Sequence, residues 1–195
     1  MRGDKASVIL ITGMPGSGKT TLAEYIGREG YLIINMGDSV RELALTWGLE
    51  PTAQNLGLIA ERIRRMEGEA AIARRCIGRI KERALDRVLV DGIRSLEEVD
   101  AFKEDFEVTL LAVHASPKTR FKRILKRGRK DDTLSWEDFL RRDRRELALG
   151  LGSAIAMADH MIVNEGPLGN LERSAKRFVK ALKRDPPIIG GSEWH

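Results

Sequence analysis

The chain has 195 residues, of which 42% are hydrophobic and 32% are charged, and its net charge is +5. This length suits one domain of ordinary size, and this composition excludes a disordered or fibrous protein. The one cysteine, Cys76, excludes an internal disulfide, and no apolar run approaches the roughly 18 residues of a membrane-spanning helix. We therefore expect a cytoplasmic protein.

Short apolar strands alternate with helices along the chain. The pattern predicts strands at 8–11, 31–34, 88–90, 108–113 and 161–163. It predicts one helix that begins at residue 21 and a second that ends near residue 47. Further helices are predicted over 53–66, 69–85, 95–103, 117–128, 136–149 and 168–182. Continuous apolar strands separated by helices are typical of a parallel sheet that is covered on both faces. We expect a single domain over residues 1–185, followed by a loose tail over 186–195.

The strongest motif is a glycine-rich loop between the first strand and the first helix. It reads Gly13, Met14, Pro15, Gly16, Ser17, Gly18, Lys19 and Thr20, which matches G-x-x-x-x-G-K-[ST]. In this position the backbone N–H groups and the start of the helix face a phosphate chain. We expect Lys19 to contact the β- and γ-phosphates and the Thr20 hydroxyl to ligate Mg²⁺, with Thr21 completing the nucleotide-binding segment. The sequence therefore predicts a protein that binds ATP with Mg²⁺.

Two further clusters follow the second and third strands. They are Gly37, Asp38 and Arg41 after the second strand, and Asp91, Gly92 and Arg94 after the third. Ligands bind outside the carboxyl ends of parallel strands, so we expect both clusters at the edge that carries the glycine loop. Asp38 is expected to cap the next helix, and Asp91 to hold Mg²⁺ through water. Arg41 and Arg94 could hold a second phosphate, and Gly92 would let the backbone approach a ligand.

Positive charge concentrates in and after the helix that follows the fourth strand. Arg123 and Arg127 are four residues apart, so they lie on one face of this helix, and Arg129 follows it. Arginines on both stems of a polar loop are typical of a lid that closes over a transferring phosphoryl group and excludes water. We predict a lid over residues 128–142, and we expect two or three of the basic residues in this helix and the lid to contact phosphate.

Several motifs resemble those of P-loop kinases. Residues 34–41 are similar to the acceptor-binding segment of adenylate kinases. Residues 88–94 resemble that family's strand-Asp-Gly-Phe-Pro-Arg motif, although they are one residue shorter and lack the proline. Residues 158–166 are similar to a signature of dephospho-CoA kinases. Taken together, residues 7–182 most resemble the archaeal UPF0200 family, which is adenylate-kinase-like and related to dephospho-CoA kinases.

The resemblance implies a three-layer α/β P-loop NTPase of the nucleoside monophosphate kinase type. Such a protein has a five-stranded parallel sheet, a helical acceptor-binding insertion, here over 38–68, and a short lid. The implied reaction is γ-phosphoryl transfer from ATP·Mg²⁺ to a small nucleotide-like acceptor, with a nucleoside monophosphate favoured. Lys19 would then be catalytic together with Arg123, Arg127 and Arg129, which would neutralise the charge developed during transfer.

Two alternatives stay open at this point. If the acceptor group is a ribose hydroxyl, as in dephospho-CoA, a general base is needed, and Asp38 is the best placed carboxylate. The basic charge also fits a nucleotide-dependent switch ATPase that binds RNA, but the sparse aromatic residues provide no stacking platform for nucleic acid. A nucleic-acid partner is therefore not expected, and the oligomeric state is not predicted.

Overall fold

A five-stranded parallel sheet organises the part of the chain that the computed structural model describes, which is residues 5–128 and 135–184. Its strands are β1 (Ser7–Thr12), β2 (Leu32–Asn35), β3 (Arg87–Ile93), β4 (Glu107–His114) and β5 (His160–Val163), in the spatial order β2-β3-β1-β4-β5. Val8 of β1 lies between Val88 of β3 and Val108 of β4, so the central strands are in register at their starts. The predicted five-stranded parallel sheet is confirmed.

The helices occupy the connections between the strands. They are α1 (Lys19–Gly27), α2 (Met36–Thr46), α3 (Ala53–Glu67), α4 (Ala71–Glu82), α5 (Leu96–Asp105), α6 (Pro117–Arg127), α7 (Trp136–Ala148), α8 (Leu151–Ala156) and α9 (Leu168–Arg184). The sequence pattern did not predict α8, because six residues are too few to display a helical period. Within the described ranges, no helix is both long and apolar enough to cross a membrane.

The central strands are apolar because both faces of the sheet are covered. On one face, Val8 and Leu10 of β1 pack with helices α2 to α5. On the other face, Ile9 and Ile11 pack with α1 and α9. Cys76 of α4 lies in the first of these cores, where burial raises the pKa of its thiol. The protein therefore has the three layers that were expected.

The start of α2 differs from the prediction. The Asn35 side chain caps this helix by accepting a hydrogen bond from the Gly37 N–H at 2.8 Å. Asp38 lies within the first turn and accepts a hydrogen bond from Arg41 at 2.5 Å. The prediction that Asp38 caps the helix was wrong, because β2 runs directly into α2 and the cap position falls on Asn35.

The remaining predictions concern a helical insertion, a lid and a C-terminal tail. Helices α2 and α3 lie between β2 and β3, where the insertion over 38–68 was expected. Of the predicted lid over 128–142, residues 129–134 lie outside the described residues, and α7 begins at its far stem. The predicted loose tail over 186–195 also lies outside them. These domain boundaries stay predictions.

A buried carboxylate fixes the path of the chain as it leaves β3. Ser95 caps α5, and Glu98 in the first turn is fully buried. The Glu98 carboxylate accepts hydrogen bonds from the Arg94 N–H at 2.8 Å and from the Arg64 guanidinium at 3.1 Å. Burial raises the pKa of Glu98, while Arg64 and the Arg94 N–H act in the opposite direction. This network sets the position of Arg94 at the functional edge of the sheet.

Replacing Glu98 with alanine should lower the free energy of unfolding by about 3–5 kcal/mol, since Arg64 loses the carboxylate that compensates its burial. Urea denaturation followed by circular dichroism measures this change. Glu97→Ala is the matched control, because Glu97 is the exposed neighbour in the same helical turn, and it should cost no more than about 1 kcal/mol. Equal losses in the two variants would contradict the role given to Glu98.

Candidate functional site

The glycine-rich loop lies between β1 and α1, and two of its glycines are required by close contacts. Gly13 has a φ of 144°, and a Cβ at this position would collide with the Val113 carbonyl oxygen. Gly18 has a φ of 103°, and a Cβ there would collide with the Asn164 side-chain amide. The neighbouring strands β4 and β5 therefore confine the loop at the carboxyl edge of the sheet.

Lys19 is the first residue of α1, and its side chain folds back over the loop. Its Nζ donates hydrogen bonds to the Gly13 carbonyl at 2.6 Å and to the Met14 carbonyl at 3.2 Å. Burial lowers the pKa of Lys19 from 10.5 to about 8. Asp91 and Glu146 raise this pKa, and Arg94 and Arg142 lower it. Lys19 is thus a partly desolvated cation that an anionic ligand would stabilise.

Thr20 and Asp91, which were predicted to bind Mg²⁺, are in contact with each other. The Thr20 hydroxyl donates to Asp91 Oδ2 at 3.4 Å, whereas Asp91 Oδ1 is buried without a hydrogen-bond partner. Burial raises the pKa of Asp91, and Lys19 and Thr20 oppose this shift. A hydroxyl and an unpaired carboxylate oxygen suit Mg²⁺, which keeps several waters and binds nucleotide phosphates as well. The described residues include no group of three or more His, Cys, Asp or Glu that could hold a metal ion by itself.

A cavity of about 670 Å³ opens beside the loop, and most of the residues predicted for the site line it. Its lining includes most of the glycine loop and five predicted residues from outside it, namely Thr21, Gly92, Arg94, Arg123 and Arg127. Met14, Ser17 and Asp91 are not part of the lining, and Ser17 and Asp91 are buried behind it. Arg129 lies outside the described residues.

The cluster after β2 stands apart from this cavity. Gly37, Asp38 and Arg41 do not line it, although the start of α2 is close, since a Cβ on Gly92 would lie 3.6 Å from the Met36 Cβ. The Asp38 and Arg41 side chains, which pair with each other, are 56% and 53% exposed. Their part in acceptor binding stays a prediction.

Sequence reasoning assigned no role to Asn164, which follows β5. Its side-chain amide donates to the Ser17 carbonyl at 2.8 Å and accepts from Arg123 at 3.4 Å. Arg123 also donates to the Ser17 carbonyl, at 3.4 Å. Asn164 thus connects the glycine loop to an arginine of the cavity. Its position at the carboxyl end of a strand is the signal that could have identified it.

A buried ion pair joins α6 and α7 to the loop. Arg120 donates to both carboxylate oxygens of Asp143, at 2.8 and 2.5 Å, and to the Pro15 carbonyl at 3.1 Å. No local pattern pairs two residues that are 23 positions apart, so the sequence did not reveal this contact. The pair holds α7 beside the loop and so places Arg142 and Glu146 on the cavity wall.

The chain matches a family model described as "AAA domain" over residues 9–148. A UPF0200 protein from Hyperthermus butylicus is 45% identical over 182 residues, which are 93% of this chain and 98% of that protein. The chain therefore belongs to the UPF0200 family, and the resemblance inferred from its motifs is confirmed.

Solved structures confirm the fold. TT1252 from Thermus thermophilus superposes with a TM-score of 0.61 and 23% identity, covering 92% of this chain and 99% of that one. Shikimate kinase from Acinetobacter baumannii superposes with a TM-score of 0.58 and 14% identity, covering 94% and 96%. At these identities the likeness concerns the fold alone, which is an α/β fold with a P-loop.

Binding of a nucleotide should be accompanied by proton uptake at about pH 9, because Lys19 is largely neutral above a pKa of about 8 and must be charged to hold phosphate. No uptake at Lys19 is expected at pH 7, where it is already protonated. Titration calorimetry of ATP binding in buffers of different ionisation enthalpy counts these protons. Lys19→Arg is the control, because a guanidinium stays protonated throughout this range. Equal uptake in wild type and Lys19→Arg would show that Lys19 is not the source.

The contact between Asn164 and Arg123 should appear as energetic coupling in ATP binding. Asn164→Ala and Arg123→Ala should each weaken ATP affinity, and the double variant should lose less than the sum, by about 0.5–3 kcal/mol. Titration calorimetry of the four proteins gives this coupling. Asn170→Ala, at an exposed position of α9, is the control. Its effect on the free energy of ATP binding should add to that of Arg123→Ala without coupling. Additive losses for Asn164 would mean that it does not act through Arg123.

Proposed function

We propose that the protein transfers the γ-phosphoryl group of ATP·Mg²⁺ to a small nucleotide-like acceptor. One observation carries this proposal: the glycine loop and cations from three other parts of the fold line the same cavity. Arg94 follows β3, Arg123 lies on α6 and Arg142 lies on α7. Phosphoryl transfer is catalysed largely by positioning and by stabilisation of developing negative charge, which such a cavity supplies.

On the donor side, each role follows from the chemistry of the group. Backbone N–H groups of the loop and the Lys19 ammonium would hold the phosphate chain. Thr20 and Asp91 would hold Mg²⁺, which neutralises phosphate charge when bound. Arg123 and Arg127 face the same cavity from α6 and are assigned to the transferring group, together with Arg129.

The donor roles assigned above do not use all of the cationic side chains that line the cavity. Arg94 and Arg142 line the cavity from two elements outside the loop and α6. Additional guanidinium groups favour an acceptor that is itself anionic. This supports transfer to a second ligand over simple hydrolysis of ATP.

A cytoplasmic location is part of the proposal, since ATP is abundant there.

The motif resemblance favours a nucleoside monophosphate as the acceptor, with Gly37, Asp38 and Arg41 beside Arg94 holding it. A phosphate oxygen is already nucleophilic, so this reaction needs no general base. Transfer to a ribose hydroxyl, as on dephospho-CoA, is the alternative, and it does need a base. The proposed kinase activity is the same whether the acceptor group is a phosphate or a hydroxyl.

An ATP-consumption screen tests the proposal. The acceptors are AMP, CMP, UMP, GMP, their deoxy forms and dephospho-CoA, each with Mg²⁺. We expect turnover of at least one acceptor, and Lys19→Ala should lower kcat by about 10²–10³ because it removes a charge that stabilises the transition state. Lys176→Ala, an exposed change on α9, is the control and should retain activity. Stimulation of ATP hydrolysis by RNA, without turnover of any acceptor, would instead indicate the switch ATPase.

A further inference from the structure

Glu146 is a carboxylate on the wall of a cavity that is otherwise dominated by cations. It lies on α7 and lines the cavity together with Lys19 and Arg94. Its side chain is 14% exposed, and its Oε2 lies 3.7 Å from Arg94 Nε. The buried pair between Arg120 and Asp143 holds α7 one turn before Glu146. The structure thus places this carboxylate at the cavity through a rigid helix.

Glu146 shares its cavity with the residues assigned to the donor. Lys19, much of the glycine loop and Arg123 line the same cavity. Glu146 therefore borders the space in which the transferring phosphoryl group would lie. A carboxylate there would repel an incoming phosphate acceptor, because like charges destabilise each other at short range. The same carboxylate would assist a hydroxyl acceptor, which has to lose a proton.

The other nearby carboxylates are less suited to accept this proton. Asp91 is buried behind the cavity, hydrogen-bonded to Thr20 and assigned to Mg²⁺. Asp38 pairs with Arg41 and does not line the cavity. Glu24 does line it, but from an exposed position on α1 where it also borders a separate depression beside β2. Among the residues that the structure describes, Glu146 is the carboxylate that combines a place on the cavity wall, partial burial and a guanidinium partner.

We propose that the reacting group of the acceptor is a hydroxyl and that Glu146 is the general base that accepts its proton. This inference rests on the proposed function and favours its hydroxyl alternative over a phosphate acceptor. It specifies the substrate class as an alcohol that also carries an anionic group, such as a nucleotide with a free sugar hydroxyl. Arg94 orients Glu146 through their ion pair, and Arg94 and Arg142 hold the anionic group of the acceptor.

The step balances as a single displacement. The O–H bond of the acceptor breaks, and its proton moves to a carboxylate oxygen of Glu146. The acceptor oxygen forms a bond to the γ-phosphorus, and the bond from this phosphorus to the β,γ-bridging oxygen breaks. The bonding electrons leave with that oxygen on ADP, whose charge Lys19 is positioned to compensate.

The bond formed in the product provides the first test. Phosphorus NMR of the wild-type reaction distinguishes a phosphate ester on a hydroxyl from a phosphoanhydride on a phosphate. We expect an ester with whichever nucleotide of the ATP-consumption screen turns over. The matched analogue that lacks the reacting hydroxyl should not be phosphorylated. A phosphoanhydride product would overturn the inference and leave the proposed kinase function intact.

The second test is Glu146→Gln, which preserves shape but cannot accept the proton. We expect kcat for the acceptor to fall by about 10²–10⁴, as for loss of a general base, while ATP affinity changes less than about threefold. Glu137→Gln, an exposed change in the first turn of the same helix, should retain wild-type kcat. Glu146→Asp should recover part of the lost activity and serves as the test if Glu146→Gln does not fold.

The remaining outcomes separate the two proposals. Full activity in Glu146→Gln with an ester product would overturn the role of Glu146. A large loss in Asp38→Asn, with Glu146→Gln unaffected, would assign the base to Asp38. Absence of any phosphorylated product from wild type across the whole screen would reject the kinase function itself.

Discussion

The buried ion pair between Arg120 and Asp143 is the interaction on which the arrangement of the site depends. Its side chains are 4% and 10% exposed, and Arg120 also donates to the Pro15 carbonyl. Removing one partner of such a pair costs about 3–5 kcal/mol, because the other charge stays buried without compensation. This one contact therefore fixes the glycine loop, α6 and α7 relative to each other, and Asn164 adds a second connection from β5 to the loop and to α6.

The sequence predicted those parts of the site that depend on local patterns or on strand ends. The glycine loop is local, because its backbone N–H groups and the start of α1 are continuous in the chain. Gly92 and Arg94 were found from the rule that parallel strands end at one edge, and both line the cavity. The same rule did not determine where α2 begins. The helix begins at Met36, earlier than the sequence predicted, so the residue that caps it is Asn35 and not Asp38.

The residues that the sequence did not reveal depend on contacts between distant segments. Helix α7 carries charged residues on several faces, so its pattern does not indicate which of them turns toward a ligand. The pairing of Asp143 with Arg120 holds one side of α7 toward the loop, and Glu146, three residues later on the same side, lines the cavity. Tertiary contacts between charged groups thus distinguish Asp143 and Glu146 from the other charged residues of this helix.

The charges around Lys19 support the proposed transfer between two bound ligands. Burial is the largest influence on the pKa of Lys19, and together with Arg94 and Arg142 it outweighs Asp91 and Glu146, which raise this pKa. A phosphate chain would offset this desolvation, so the site is preorganised for an anion before one binds. The two carboxylates also come from different parts of the fold, since Asp91 lies at the end of β3 behind Thr20 and Glu146 lies on α7. In the proposed reaction Asp91 serves Mg²⁺ and Glu146 serves the acceptor, so that each ligand has its own acidic group.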